Sequence, residues 1–428
     1  MTPSGSSKPV RKQEEAFAHR DWLSLDGSRP PAACFHLPVR GMGVPAKVSS
    51  AAFLLVLLVA AIAAYQDRFR DWDWDLMAYS ASAVSLLETD PVEIHAIVFK
   101  EAKTEVPGAQ YKSLTAATSY RADLSRDPFH FAEQIPFYSV KPAYVELIVG
   151  LHRLGLTRIQ AMKLISVASF VAFGVLFFAW AGSYLNSRAS ALLSGMFVLS
   201  QPILDLARIS TPDALSVAMV FAALYALFEK EGALAGILML SCSVFIRSDN
   251  FVLVVLVLCY LSLVPHSPVR IRRDHAVLLI AAVLASTIVI DRVGGYGWQT
   301  LAYHSVVQRL TNPAEVVPHV TALNYFHALA AAARIALFDW SSLLLFAFMA
   351  TGCLLFARLA DRMRDLLLLN VTASVLRILV YPSFEERYLV SLYAVIAVCL
   401  ISVIAGPASS SQEGTGTEET KVNSVPGM

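Results

Sequence analysis

The chain has 428 residues, 56% of them hydrophobic and only 16% charged, and its mean hydropathy is +0.57. So little polar surface excludes a soluble globular protein of this size and describes a polytopic membrane protein, all-α in fold. The net charge of +1 arises from small Lys and Arg clusters between apolar runs, with no basic stripe of the kind that binds nucleic acid.

Residues 1–46 are polar, rich in Pro, Gly and Ser, and lack a sustained apolar period, so they are expected to be a disordered cytoplasmic segment. Met42, just ahead of Gly43-Val-Pro-Ala-Lys, is a candidate for the true start. Measured against the roughly 20 residues that a helix needs to cross a bilayer, the apolar runs give about ten spans. They lie at 48–65, 159–185, 189–208, 213–229, 231–246, 250–265, 275–291, 336–357, 366–381 and 388–405. The first could pass for a signal peptide with Ala61-Ile62-Ala63 at its cleavage site, but the long extension before it favours a retained helix.

Basic residues near span ends favour the cytoplasm. Arg11, Lys12, Arg20, Arg29, Arg40 and Lys47 therefore put the N-terminus inside. Alternate counting then places Arg188, Lys230, the Arg270/Arg272/Arg273 cluster and Arg358/Arg362/Arg364 inside as well. The tail 407–428, rich in Ser, Gly, Thr and Glu, returns to the cytoplasm and is expected to be disordered. The remaining connections fall outside: loops 66–158 and 292–335, and three tight turns.

The first outer loop opens on Asp71-Trp72-Asp73-Trp74-Asp75, three carboxylates alternating with two indoles at a membrane surface. Leu76–Leu87 follows with apolar positions three and four apart, the pattern of an amphipathic helix lying on the outer surface, capped by Asp73 or Asp75. Trp72 and Trp74 could stack on a ligand ring, although aromatic residues also simply mark bilayer interfaces. Further on, Pro136-Phe-Tyr138-Ser-Val-Lys141-Pro142 precedes an apolar helix over 143–154 that is too short to cross and reads as a re-entrant, dipping helix. The tight turns are Arg208-Ile-Ser-Thr-Pro-Asp213, Arg247-Ser-Asp249-Asn250 and Tyr381-Pro-Ser-Phe-Glu385-Glu386-Arg387, each with an Arg and a carboxylate. Ionisable groups gathered on one membrane face are costly unless they pair or line a wet cavity, which makes them functional pointers.

Cysteine adds little, since Cys34 lies in the polar head and Cys242, Cys259, Cys353 and Cys399 lie inside expected spans, leaving no disulfide framework. The sequence has no His-Glu-x-x-His, phosphate-binding Gly-Lys-Ser/Thr loop, dinucleotide fingerprint or Gly-x-Ser-x-Gly elbow, so zinc hydrolysis, ATP-driven transport, redox and acyl transfer lose weight.

The order of these parts resembles the GT-C superfamily of membrane glycosyltransferases, which includes protein mannosyltransferases and aminoarabinose transferases. The parts are the acidic segment after the first span, the surface helices, the aromatic-Lys-Pro element, the Thr211-Pro-Asp213-Ala turn, Arg247-x-Asp249-Asn250 and Glu386-Arg387-Tyr388-Leu389. The resemblance covers residues 47–406, and its motifs are short and degenerate. It implies transfer of a sugar from a polyprenyl-phosphate donor to an acceptor on the extracytoplasmic face of the bacterial inner membrane. On that basis Asp73 and Asp75 are the candidate catalytic carboxylates, with Asp71 a weaker choice and the register open. Asp213 and Asp249 would supply the second acidic position, and Lys141, Arg208, Arg247 and Arg387 would hold the donor phosphate. Trp72, Trp74 and Tyr138 would touch the sugar, and a divalent cation is a candidate cofactor. The partners implied are the lipid-linked donor and the bilayer. Two rival readings are a transporter or channel, disfavoured because no internal repeat is visible, and a non-catalytic lipid-binding subunit of the same fold.

Overall fold

The computed structural model describes residues 50–66, 70–316, 318–338 and 340–406. The expectations for residues 1–46 and 407–428, including the Met42 start, fall outside the described residues. Among the described residues the chain is helical, with no strand.

Nine of the ten apolar runs each become a single helix: Ser50–Gln66, Arg158–Ala181, Asp213–Phe228, Ala233–Ile246, Phe251–Leu263, Arg273–Gly294, Trp340–Leu355, Asp361–Val380 and Val390–Ile404. Length separates them. Arg158–Ala181, Arg273–Gly294 and Glu386–Ile404 are long and apolar enough to cross a membrane, while several others are apolar but have 17 residues or fewer. The tenth run departs from expectation, because 189–208 breaks into Ser187–Val198 and Gln201–Arg208, bent by 69°. Pro202 near the start of the second piece explains the break, since it has no N–H to continue the first helix and is tolerated in an opening turn. Counting the bent pair as one, up to four helices reach spanning length, fewer than the ten expected from apolar runs alone.

The faces left bare are apolar. Along Arg273–Gly294, Val277, Leu278, Ile288, Val289 and Val293 are all exposed. A contiguous apolar surface of this kind is unstable in water and suits lipid.

Connections gather at two ends of the long-helix bundle. At one end, Tyr184 bonds Glu229 at 3.0 Å, Arg362 pairs with Glu231 at 2.7 Å and His266 meets Asp365 at 3.0 Å, so the segments near 184, 230, 266 and 362 are neighbours. At the other end lie the segments around 73, 210, 248 and 387, held together by the ion pairs described below.

Two hydrophobic cores share one pillar. The larger is built by the long helices around Phe173, Phe177, Trp180, Phe221 and Phe228. The smaller belongs to the segment after the first helix, where seven helices from Asp75–Ser85 to Pro142–Arg153 pack around Tyr79, Phe131 and Tyr144. Ile159, Ala161, Met162 and Ile165, at the start of Arg158–Ala181, complete this second core. Short polar signals punctuate it: Asp90 and Asp127 each accept a backbone N–H ahead of a proline, Thr118 caps the next helix, and Thr157 with Gln160 forms a capping box.

Two further expectations need correction. Helix Asp75–Ser85 does not lie on a membrane surface, because every residue from Leu76 to Val84 is buried. Its Ala and Ser positions let neighbours approach on the side that the spacing of large residues suggests is exposed. The second outer loop is no plain loop either, since it contains the apolar helix Ala322–Phe338, whose Tyr325 hydroxyl donates to the Leu379 carbonyl. Pro142–Arg153, the short helix, packs Tyr144, Val145, Ile148 and Val149 into the second core and leaves Leu147 exposed.

Burial on all sides makes a checkable difference. Ala81→Leu is expected to destabilise the protein by about 1–3 kcal/mol through overpacking, read as a lowered melting temperature of the detergent-solubilised chain. A surface helix would tolerate the change, so an unaltered melt would contradict the packing.

Candidate functional site

The acidic segment is strapped to a helix end before it reaches the second core. Arg70 Nη1 donates to Ser210 Oγ at 2.8 Å and to the Arg208 carbonyl at 3.3 Å, and the Asp71 N–H donates to that same carbonyl at 3.3 Å. These bonds use acceptors that the C-terminus of helix Gln201–Arg208 leaves open. Trp74 occupies the cap position of Asp75–Ser85 without a side-chain capping bond, so the expected cap by Asp73 or Asp75 does not form. Asp75 is instead the first helical residue, where a carboxylate meets the positive end of the dipole.

Arg387 is the hub. Its Nη1 stands 4.0 Å from Asp73, 3.8 Å from Asp75 and 3.5 Å from the buried Asp213, while Nη2 contacts Glu385 at 2.5 Å. A second layer adjoins it. Arg247 pairs with Asp213 and grips Asp249 through two bonds of 3.1 and 3.0 Å, and Arg377 also bonds Asp249. The Tyr388 ring lies within 4.2 Å of the Arg247 guanidinium, 3.9 Å of Arg377 and 5.2 Å of Arg387, measured to the ring centroid. A ring face attracts cations, and carboxylates between like charges offset their repulsion, so the cluster is held by both.

Beside Arg387 is a cavity of about 740 Å³, lined by Asp71, Asp73, Trp74, Asp75, Tyr120, Arg121, Asp205, Arg208, Arg309, Glu385 and Arg387. Its volume is that of a small-molecule site. On the bundle side a much smaller cavity, about 50 Å³, is lined by Asp213, Ser216, Arg247, Asp249, Asn250, Asn370, Ser374 and Arg377 together with Val217, Val220, Val252, Leu253 and Ala373.

Among the groups at the site with shifted pKa values, Asp73 and Lys141 bear on its chemistry. Burial, reinforced by the neighbouring Asp75 charge, raises Asp73 to about 6, despite the opposing pull of Arg387. Burial also lowers Lys141 to about 8, helped by the charge of Arg247 and opposed by Asp75. The Lys141 ammonium stands over the Tyr79 and Tyr138 rings, at 5.0 and 5.4 Å from their centroids.

Most of the residues singled out from sequence are thus neighbours. Asp73, Asp75, Asp213 and Arg387 meet directly, and Arg247 and Asp249 join through Asp213. Arg208 lines the large cavity but is engaged by Asp205 at 3.2 Å. Tyr138 donates to Asp75 Oδ1 at 2.9 Å, while Lys141 lines neither cavity. The two tryptophans part company: Trp74 borders the large cavity with its ring packed edge-on against Tyr120 and Phe131, whereas Trp72 sits under Lys163, 4.7 Å from its ring centroid.

Sequence reasoning passed over Arg377, Arg309, Arg121 and Tyr120, and named Glu385 and Tyr388 within motifs without giving them a role. Arg377 carried a usable signal, being a lone charge inside a run read as a span. Arg121 and Arg309 carried none, because nothing local marks one arginine outside the apolar runs among many.

A divalent cation fits this arrangement poorly. Among the described residues no group of three or more His, Cys, Asp or Glu side chains is placed to hold a metal, and Asp73, Asp75 and Asp213 all face the Arg387 guanidinium. A fixed positive charge at the focus of three carboxylates opposes a second cation there.

No family model matches the chain, and neither the curated proteins nor the solved structures give a match.

The paired layer predicts a large cost for removing its shared anion. Asp249→Ala leaves Arg247 and Arg377 without that partner and is expected to cost about 3 kcal/mol or more, measured by thermal unfolding in detergent. A loss below about 1 kcal/mol, the worth of an exposed pair, would show that water already screens these charges.

Proposed function

We propose that the protein is a membrane glycosyltransferase that moves a sugar from a polyprenyl-phosphate donor to an acceptor hydroxyl on the extracytoplasmic face. The observation that carries this reading is the convergence of Asp73, Asp75 and Asp213 on Arg387 at the mouth of the 740 Å³ cavity. Glycosyl transfer from a lipid phosphate needs one group to take a proton and a fixed cation to receive a departing phosphate. Here the two stand side by side. Asp73 suits the base, because its raised pKa of about 6 keeps it ionised at neutral pH yet basic enough to accept a proton. Asp75 has a different task, bonded by Tyr138 and close to Arg387, and it holds the Asp73 pKa up by its charge.

In the reaction the acceptor oxygen bonds to the anomeric carbon as its proton passes to the Asp73 carboxylate. The anomeric carbon–oxygen bond to phosphate breaks, the electron pair stays on the phosphate oxygen, and Arg387 meets the new charge. Attack opposite the leaving phosphate inverts the anomeric centre. Exposed apolar faces, such as that of Arg273–Gly294, support a protein embedded in lipid, where such a donor is found. Orientation rests on the basic residues of the opposite end, Lys230, Arg362 and Arg364 among them, which favour the cytoplasm and leave the cavity outside. With both termini inside, the shorter apolar helices would complete a topology of about ten crossings. A transporter gains no comparable support, since the charged groups gather at helix ends instead of midway along them.

The test is sugar transfer by the purified full-length protein from labelled polyprenyl-phosphate sugars. Asp73→Asn is expected to lower the rate by about 10²–10⁴-fold; no turnover by the wild type with any such donor would remove the reading.

The rate should also fall as pH drops through about 6, because protonated Asp73 cannot accept the acceptor's proton. Asp75→Asn removes a charge that raises Asp73, so the acid limb of the pH–rate profile is expected to move to lower pH. An acid limb that stays in place, or moves up, would assign the base elsewhere.

A further inference from the structure

Two guanidiniums on the wall of the large cavity stand apart from the network around Arg387. Arg309 is exposed and forms no ion pair among the described residues. Arg121, on helix Ser119–Arg126, donates to the Ser113 carbonyl at 3.2 Å and has no carboxylate partner among the described residues. Other buried arginines pair with carboxylates, Arg158 with Glu101 at 2.9 Å and Arg247 with Asp249 at 3.0 Å.

The two unpaired cations are nevertheless held in place. Tyr120, next to Arg121, donates to Gln134 Oε1 at 2.7 Å. The buried Gln134 amide in turn donates to the carbonyls of Leu310 and Thr311, at 3.2 and 3.1 Å, immediately after Arg309. His304 Nδ1 accepts the Leu310 N–H at 3.1 Å and fixes the same segment from its other side. One buried amide thus clamps the backbone that carries Arg309 to the helix that carries Arg121. Burial raises the Tyr120 hydroxyl pKa and both guanidinium charges oppose that rise, which places both near its oxygen.

We propose that Arg121 and Arg309 form an oxyanion subsite for the acceptor, taking a phosphate or carboxylate group on the molecule whose hydroxyl reaches Asp73. This rests on the glycosyl-transfer reading for the word acceptor, but the anion site stands on its own geometry. Both arginines come from segments outside the long apolar helices and line the same cavity as the acidic row, whereas a donor with a lipid tail meets Arg387 at the bundle. Planar guanidinium forks match oxyanions in two-point contact, and a cavity of about 740 Å³ accommodates an acceptor beside a donor headgroup.

The experiment titrates the full-length protein, in neutral-lipid nanodiscs, with inorganic phosphate, and in parallel measures retention of a polyprenyl phosphate doped into the disc. For the double variant Arg121→Gln/Arg309→Gln, phosphate affinity is expected to fall about tenfold or more, the loss of charge-assisted hydrogen bonds, with polyprenyl phosphate binding kept. Unchanged phosphate affinity, or no phosphate binding by the wild type, overturns the subsite. An equal loss of both ligands also overturns it, because the arginines would then serve the donor. The single variant Arg309→Gln, at an exposed residue, repeats the test with little risk to folding, and Arg309→Lys should restore part of the affinity. Binding is read without turnover, so a wild type that binds phosphate through these arginines yet transfers no sugar sinks the enzymatic reading alone. Turnover with phosphate binding indifferent to them sinks the subsite alone.

Discussion

A guanidinium removed from bulk water must be neutralised or it will unfold what surrounds it. Arg387 meets that requirement with carboxylates from three different parts of the chain: Asp73 and Asp75, Asp213, and its neighbour Glu385. Because those carboxylates sit at the ends of helices Asp75–Ser85, Asp213–Phe228 and Val390–Ile404, satisfying one charge fixes the meeting point of three helices. The Tyr388 ring extends the constraint, drawing Arg247 and Arg377 to the same spot and with them the ends of Ala233–Ile246 and Asp361–Val380. At this end charge balance adds to apolar packing a directional constraint, since each guanidinium must meet its carboxylates at hydrogen-bonding distance.

The same balance shapes the chemistry open to the site. Without substrate, Arg387 is fully engaged by carboxylates, so an incoming phosphate has to share it with them. That competition has a useful sign under the glycosyl-transfer reading. Arg387 is the main charge holding the Asp73 pKa down, against burial and Asp75. A phosphate that draws on Arg387 and adds its own negative charge would push Asp73 further up, so the carboxylate becomes a stronger base as the donor seats.

Much of this was legible in sequence, and the gaps have physical causes. Apolar runs located the long helices because period and length survive any tertiary arrangement, and the Arg-plus-carboxylate turns were visible because charges beside apolar runs have few explanations. What the pattern could not distinguish was lipid from protein as the partner of an apolar face. Leu76–Val84 therefore read as half-exposed when it is buried on every side. The break before Gln201-Pro202 was readable in principle, since a proline in mid-run seldom continues a helix. The two arginines that share the cavity with the acidic row could not be found, because Arg121 and Arg309 are brought together by Gln134 across 188 residues of chain, a contact with no local signature.

The small cavity beside Arg387 explains how such a charge cluster persists at the edge of an apolar bundle. Ser216, Asn250, Asn370, Ser374 and Ser391 line it from the helix side, and Asn250 spans Ser216 Oγ at 2.9 Å and the Ser243 carbonyl at 3.1 Å. Neutral dipoles placed there lower the cost of burying Arg247 and Asp249 without adding charge that would disturb the balance above. Val220 and Leu253 line the same cavity and belong to the main core, so the polar groups adjoin apolar packing directly. The ion network lies between these polar groups and the larger cavity, whose wall carries Asp71, Asp73 and Asp75.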